Sequence, residues 1–257
     1  MTVNSIECTT KLPNQSFIAS KQWNVNQSNT QYAICVHGWL DNANSYDPLM
    51  NYIADKLSHI TFIAVDLPGH GKSTHTNRYD IMSDSAALYN FIDVLLNERK
   101  KHNDGTMKHI KLHLIAHSWG GTVAQIAAAI SPDRIQSIIL LDSLGPFTAE
   151  PCDIPASFST AVINRAKRIS KSKKQYNTLD DIVSHYMSGN KYIGRASTEL
   201  LMQRGACKLD NNKYIFVHDV QLQQWYMSLT EPVYIAFLGR LQCHVTHILA
   251  QNEERLR

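Results

Sequence analysis

The chain has 257 residues, 44% of them hydrophobic and 18% charged, the balance of a globular α/β protein able to bury a sizeable core. Its net charge of +3 is concentrated in 165–174 (R-A-K-R-I-S-K-S-K-K), with six basic side chains and no acidic one, so there is no domain-wide basic footprint for nucleic acid. The five cysteines form no C-x-x-C pair, which argues against a disulfide framework or a zinc site.

The first residues lack a basic and an apolar signal region, and no apolar run reaches 18 residues, so neither secretion nor a membrane span is expected. Cytoplasmic residence is the expectation that follows. Residues 17–25 alternate as a strand, and 26–29 read as a polar turn. An apolar strand at 32–36 runs into H-G-W-L-D-N at 37–42, and Ser45 is expected to cap a helix over 46–57. Residues 60–65 (I-T-F-I-A-V) form a continuous apolar run, as in a strand buried on both faces, and lead into D-L-P-G-H-G-K-S at 66–73. A helix is expected from about residue 83, then a strand at 110–115, a helix ending near 131–132 and a strand at 135–141. Strand and helix alternate throughout, which implies a mostly parallel sheet with helices on both faces.

The rhythm breaks between 145 and 241. Thr178 to Asp181 reads as a capping box, Ser197 as a cap for 198–204, and Asn211-Asn212 as the turn of a small hairpin. Such a mainly helical insert is expected to be a cap or lid. The division is therefore core at 1–144, cap at 145–241, and core resumed at 242–257, where 243–250 is the next strand. The basic run 165–174 is most simply a solvated helix face, with an anionic substrate or a membrane surface as the sharper alternative.

The stretch L-H-L-I-A-H-S-W-G-G-T-V-A-Q-I at 112–126 has the strand–Ser–helix layout of a nucleophile elbow with Ser118 at the turn. A serine held there has strained torsions, and its neighbours two positions away must be small. They are Ala116 and Gly120, the alanine being a mild departure from glycine. With H-G-W-L-D-N-A-N-S-Y at 37–46, D-L-P-G-H-G-K-S at 66–73 and L-L-D-S-L-G-P-F at 140–147, the sequence resembles the α/β-hydrolase superfamily. Within it, the segment R-G-A-C-K-L-D-N-N-K-Y-I-F-V-H-D at 204–219 makes it similar to the serine hydrolase-like, kraken-like proteins.

The resemblance implies a serine hydrolase working on small carboxylic esters or related acyl compounds through an acyl-Ser118 intermediate, without metal or organic cofactor. It implies an oxyanion hole from the backbone amides of Trp39 and Trp119, and the side chains of Trp39, Tyr46, Trp119 and Phe147 are expected to wall an acyl pocket. The acid is left open between Asp142, at the end of the 135–141 strand, and Glu253 or Glu254. No histidine follows His247, so the final strand, the histidine loop and the closing helix look to be missing. The 243–250 strand would then be an uncovered edge prone to aggregation. His37 and His70 read as loop-stabilising, and His109, His113 and His117 as one face of a strand and not a metal site. His218 is a pocket-lining candidate and a distant substitute for the base. The rival function is a non-catalytic α/β-hydrolase-like binding protein. The oligomeric state stays open.

Overall fold

A computed structural model describes residues 4–26, 28–102, 110–170, 172–190, 192–223 and 229–250. Its strands are β1 (Ile6–Lys11), β2 (Phe17–Trp23), β3 (Gln31–Val36), β4 (Ile60–Val65), β5 (Lys111–His117), β6 (Ile135–Leu141), the short pair β7 (Ala206–Lys208) and β8 (Tyr214–Phe216), and β9 (His244–Ile248). Seven of them form one sheet in the order β1-β2-β4-β3-β5-β6-β9. β1 and β2 run antiparallel to their neighbours, and β4, β3, β5, β6 and β9 are parallel.

The helices are α1 (Asp47–Ile53), α2 (Ile81–His102), α3 (Trp119–Ile130), α4 (Ile154–Ile169), α5 (Leu179–Ser188), α6 (Arg195–Gly205) and α7 (Glu231–Leu238). Strict alternation along the central strands sorts side chains onto two faces. Leu112, Leu114 and Ala116 of β5 and Ile138 and Leu140 of β6 join Leu88, Phe91 and Val123 of α2 and α3 in the larger core. On the opposite face Ala33, Cys35, Phe62, Ala64 and Ile115 pack on Tyr46, Met50 and Ala54. At the β6–β9 end of that second face, Ile139 and Leu141 are half-buried, and Thr246 and Ile248, paired with them across the strands, are exposed. β9 is the edge of the sheet.

β1 carries no strong apolar run and has no local strand signal; it exists because its backbone pairs with β2 along six residues. Ser45 does not cap a helix. Asn42 accepts from the Asn44 amide at 3.1 Å and starts a 3-10 turn over Ala43–Tyr46, and the Ser45 hydroxyl donates to the Asn42 carbonyl instead. The helix proper then starts at Asp47, with Pro48 in its first turn, where a missing N–H costs nothing. Ser197 likewise lies inside α6, which begins at Arg195 after Gly194. The Thr178–Asp181 capping box and the hairpin turned at Asn212 (φ 64°) are present as read.

The basic run is only partly a solvated face. Lys167 and Arg168 are exposed, but Arg165 is buried and its Nε donates to the Gln221 side chain at 2.6 Å.

Candidate active site

β5 delivers the chain to Ser118 at φ 49° and ψ −119°, a conformation that L residues avoid, and α3 begins at the next residue. The strain is held by packing and hydrogen bonds. A Cβ at Gly120 would strike the carbonyl oxygens of Val36 and His37, and one at Gly121 would strike the Ser143 side chain. The Ser118 amide donates to the Leu141 carbonyl at 3.1 Å, and the Ser118 carbonyl accepts from Ser143 Oγ at 2.8 Å and from the Gly121 amide at 2.9 Å. Ala116 is fully buried at the end of β5, so its methyl is accommodated. Ser118 itself is exposed, and its side chain does not cap α3. The result is a serine hydroxyl presented to solvent at a helix N-terminus, where the dipole favours developing negative charge.

The two tryptophans meet. The Trp39 and Trp119 rings stack edge to face with centroids 4.8 Å apart, and Trp39 also contacts His70 at 5.8 Å. Trp119 is the first residue of α3, and its indole N–H donates to Asp84 Oδ2 at 2.9 Å. Asp84, on α2, is fully buried; burial pushes its carboxyl up to about 7, against the indole bond and with help from Asp80. Its Oδ1 has no partner among the described residues.

The loop carrying Trp39 is pinned by two buried histidines. His37 Nε2 accepts from the Leu67 amide at 3.0 Å while Nδ1 lies 2.7 Å from the Gly38 carbonyl. His70 Nε2 accepts from the Leu40 amide at 3.2 Å, and its Nδ1 lies 3.0 Å from the Pro68 carbonyl. With both nitrogens engaged and burial lowering them to about 4 and about 3, these rings are neutral scaffolding and not bases.

Asp142 follows β6 at φ 47° and donates its amide to the Ile248 carbonyl at 2.8 Å, between Leu141 and Ser143, the two residues bonded to Ser118. Its backbone therefore sits against the elbow. Glu253, Glu254 and His109 lie outside the described residues. Among the described residues no cluster of His, Cys, Asp and Glu could hold a metal ion, and His113 is engaged with Ser137 Oγ at 2.8 Å. No described helix is long and apolar enough to cross a membrane.

A family model of the α/β hydrolase fold matches residues 34–185, more than half of the chain and all of the loops just described. The chain belongs to the α/β-hydrolase family. Serine hydrolase-like proteins of Danio rerio and Mus musculus are 24% and 28% identical to it, over 85% and 75% of this chain and 64% and 59% of theirs. The chain thus spans about three-fifths of the length of these relatives. The crystal structure of a hypothetical protein from Pseudomonas aeruginosa PAO1 superposes with a TM-score of 0.79 at 26% identity, covering 97% of this chain and 82% of that one.

A cavity of about 480 Å³ opens beside His117, the residue before Ser118, between residues of the sheet side and of α6. Asp41, Tyr46, His117 and Leu141 line it from the core, and Tyr192 and Leu200 from the other side. Of the four expected wall residues Tyr46 borders this cavity, with its hydroxyl 2.8 Å from the Val36 carbonyl; Trp39 and Trp119 stack on each other, and Phe147 is exposed. His117 Nδ1 lies 3.7 Å from Asp41 Oδ2, and Asp41 Oδ1 accepts from Tyr186 at 3.0 Å. Burial opposes ionisation of Asp41, but His117, His37 and the Tyr186 hydroxyl outweigh it and hold the carboxyl below its ordinary value.

Two further residues organise the site without having stood out in the sequence. Asp66, fully buried after β4, accepts from the amides of Ala43 and Lys72, both at 2.8 Å, and pairs with Arg204 Nε at 2.8 Å. Arg204 Nη1 continues to Glu7 at 2.7 Å. Asp66 was visible as the first letter of D-L-P-G-H-G, but nothing in the local sequence marked Arg204 as its partner.

Proposed function

We propose that this protein is a serine hydrolase that cleaves small carboxylic esters or related acyl substrates through an acyl-Ser118 intermediate. The observation that carries the reading is Ser118, solvent-facing and held at φ 49° and ψ −119° at the start of α3, a strained conformation of the kind that clusters at active sites. Attack by Oγ on the acyl carbon would place the oxyanion near the amides of Trp119 and Trp39, each preorganised donor of this kind being worth on the order of 3 kcal/mol of barrier. Collapse of that oxyanion breaks the ester C–O bond, the alcohol departs with the serine's proton, and water then releases the acid. Asp142 is the acid of choice by its position against the elbow. The cavity beside Tyr46 and His117 takes the substrate, and the 145–241 segment serves as its cap. A cytoplasmic setting belongs to the same reading and is supported by five free cysteines.

The test is hydrolysis of p-nitrophenyl acetate and butyrate. The reading expects turnover by the wild type, a loss of at least about 100-fold in Ser118→Ala, and retained folding by circular dichroism. Equal rates in the two proteins would overturn it.

A second reading, a binding protein on the same fold, is favoured by one observation. Among the described residues no histidine hydrogen-bonds to the Ser118 side chain, and His37 and His70 are committed elsewhere. It expects ligand binding at the cavity with no turnover.

A further inference from the structure

A second cleft, of about 290 Å³, lies wholly within the 145–241 segment, away from Ser118. Its described lining combines Arg168, Lys173 and Lys174 with the rings of Tyr176, His185, Phe216 and His218, and contains no carboxylate. Three of the six cations of the 165–174 run are therefore gathered at one concavity.

The hydrogen-bond and ring partners of the three cations are neutral, and the nearest acid acting on Lys173, Asp219, is not part of the cleft lining. Lys173 Nζ donates to the carbonyl oxygens of Phe216, Val217 and His218 at 3.0, 3.1 and 2.8 Å, which fixes the end of β8 beside the run. Arg168 Nη1 donates to Gln223 Oε1 at 2.7 Å, and Gln223 Nε2 is 3.3 Å from His218 Nε2. Lys174 Nζ lies 5.0 Å from the Tyr176 ring centroid. Arg168 and Lys174 remain exposed, but both border the same concavity as the rings. Phe216 contacts Tyr176 at 5.7 Å and His218 at 5.2 Å. Burial, with Lys174 adding to it, lowers His185; burial, with His70 and Lys173 adding to it, pushes His218 down to about 3. Both rings are then neutral near pH 7, able to stack and to donate a hydrogen bond.

We infer that this cleft binds a small phosphate ester carrying a flat ring, of nucleotide size, with the phosphate on Arg168 and Lys174 and the ring against Phe216 and His218. The volume, roughly that of ten liquid waters, accommodates both parts. Charge-assisted bonds to a dianionic phosphate supply affinity, and the aromatic wall selects a ring over bare phosphate.

The experiment is calorimetric titration of the full chain with adenosine 5′-monophosphate, adenosine and inorganic phosphate, repeated in Lys174→Glu and Arg168→Glu, both exposed positions. The monophosphate is expected to bind at least about tenfold more tightly than either adenosine or phosphate, and each charge reversal to weaken it by about tenfold or more. Raising salt from 0.05 to 0.5 M should weaken it further, as expected for exposed charge pairs. Ser118→Ala should leave the affinity unchanged, so failure here is distinct from failure of the hydrolase reading. Absence of monophosphate binding, or binding indifferent to both charge reversals, would overturn the inference; adenosine binding as tightly as the monophosphate would do so too, and phosphate binding as tightly would remove the ring from it.

Discussion

The elbow-bearing core and the 145–241 segment are built on different principles. In the core, β3 and β4 are apolar almost throughout and β5 and β6 carry apolar runs, and two continuous clusters hold the sheet against α1, α2 and α3. The segment has a separate small cluster of Tyr176, Ile182, Val183, Leu201 and Met202, while its last stretch joins the core through Leu229 and Tyr234, and several of its other ties to the core are polar. Arg204 pairs with Asp66, Tyr186 bonds Asp41, Asn42 and Asn44 donate to the Leu201 and Leu200 carbonyls, and Tyr79 donates to Asp219. The core is placed by buried area, which is non-directional. The segment before residue 223 is tied to the core by a few directed bonds, each of which can be cut singly, and its 229–241 end by buried apolar side chains.

The sharpest way to break that contrast is Arg204→Met. It leaves Asp66, fully buried, with two amide donors but no cation, and should cost about 3–5 kcal/mol. Chemical denaturation would measure the loss, and hydrogen exchange should show α6 losing protection before β3 to β6. Uniform loss across the molecule would mean that the two regions are one cooperative unit.

Asp84 tests the core through pH. Its carboxyl is protonated in the fold up to about pH 7, whereas in the unfolded chain it ionises near 4. Folding therefore takes up a proton between those values, and stability falls as pH rises from about 4 to 7. Asp84→Asn keeps an acceptor for the Trp119 indole and should remove that fall, gaining on the order of 4 kcal/mol at pH 8 and little at pH 4. His37 and His70 act in the opposite sense: both are lowered in the fold, so their contribution is lost as pH drops below about 6.5. Thermal melts across pH 4–8 in wild type and Asp84→Asn separate the two trends. An unchanged difference between the proteins at all pH values would contradict the assignment.

Smaller effects follow at the two local motifs. Gly120→Ala drives a methyl into the Val36 and His37 carbonyls and should cost about 2 kcal/mol while disturbing the elbow. Thr178→Ala removes the side-chain acceptor of the α5 capping box and should cost about 1 kcal/mol, confined to the segment. Urea midpoints compare them directly.

The same contrast governs what the sequence could reveal. The apolar runs at 60–65 and 135–141 and the small residues after Ser118 report burial and close approach, so the sheet and elbow were readable from local pattern. The Thr178 box and the Asn212 turn were readable because their partners lie within four residues. β1 was not, since its strand character comes from pairing with β2 and not from its own composition. Ser45 misled because Asn42, three residues earlier, competes for the same turn. Arg204, 138 residues from Asp66, carries no local signature of its role. Asp84 was likewise silent, because its significance lies in the indole it meets across α2 and α3.

The central claim, that Ser118 is a nucleophile, is tested most directly by intact-mass and peptide mass spectrometry after exposure to a fluorophosphonate. The account predicts a single phosphonyl adduct on Ser118 in the folded wild type, none after heat unfolding and none in Ser118→Ala. A folded, monodisperse protein that remains unmodified, or an adduct carried on a different serine, would contradict it.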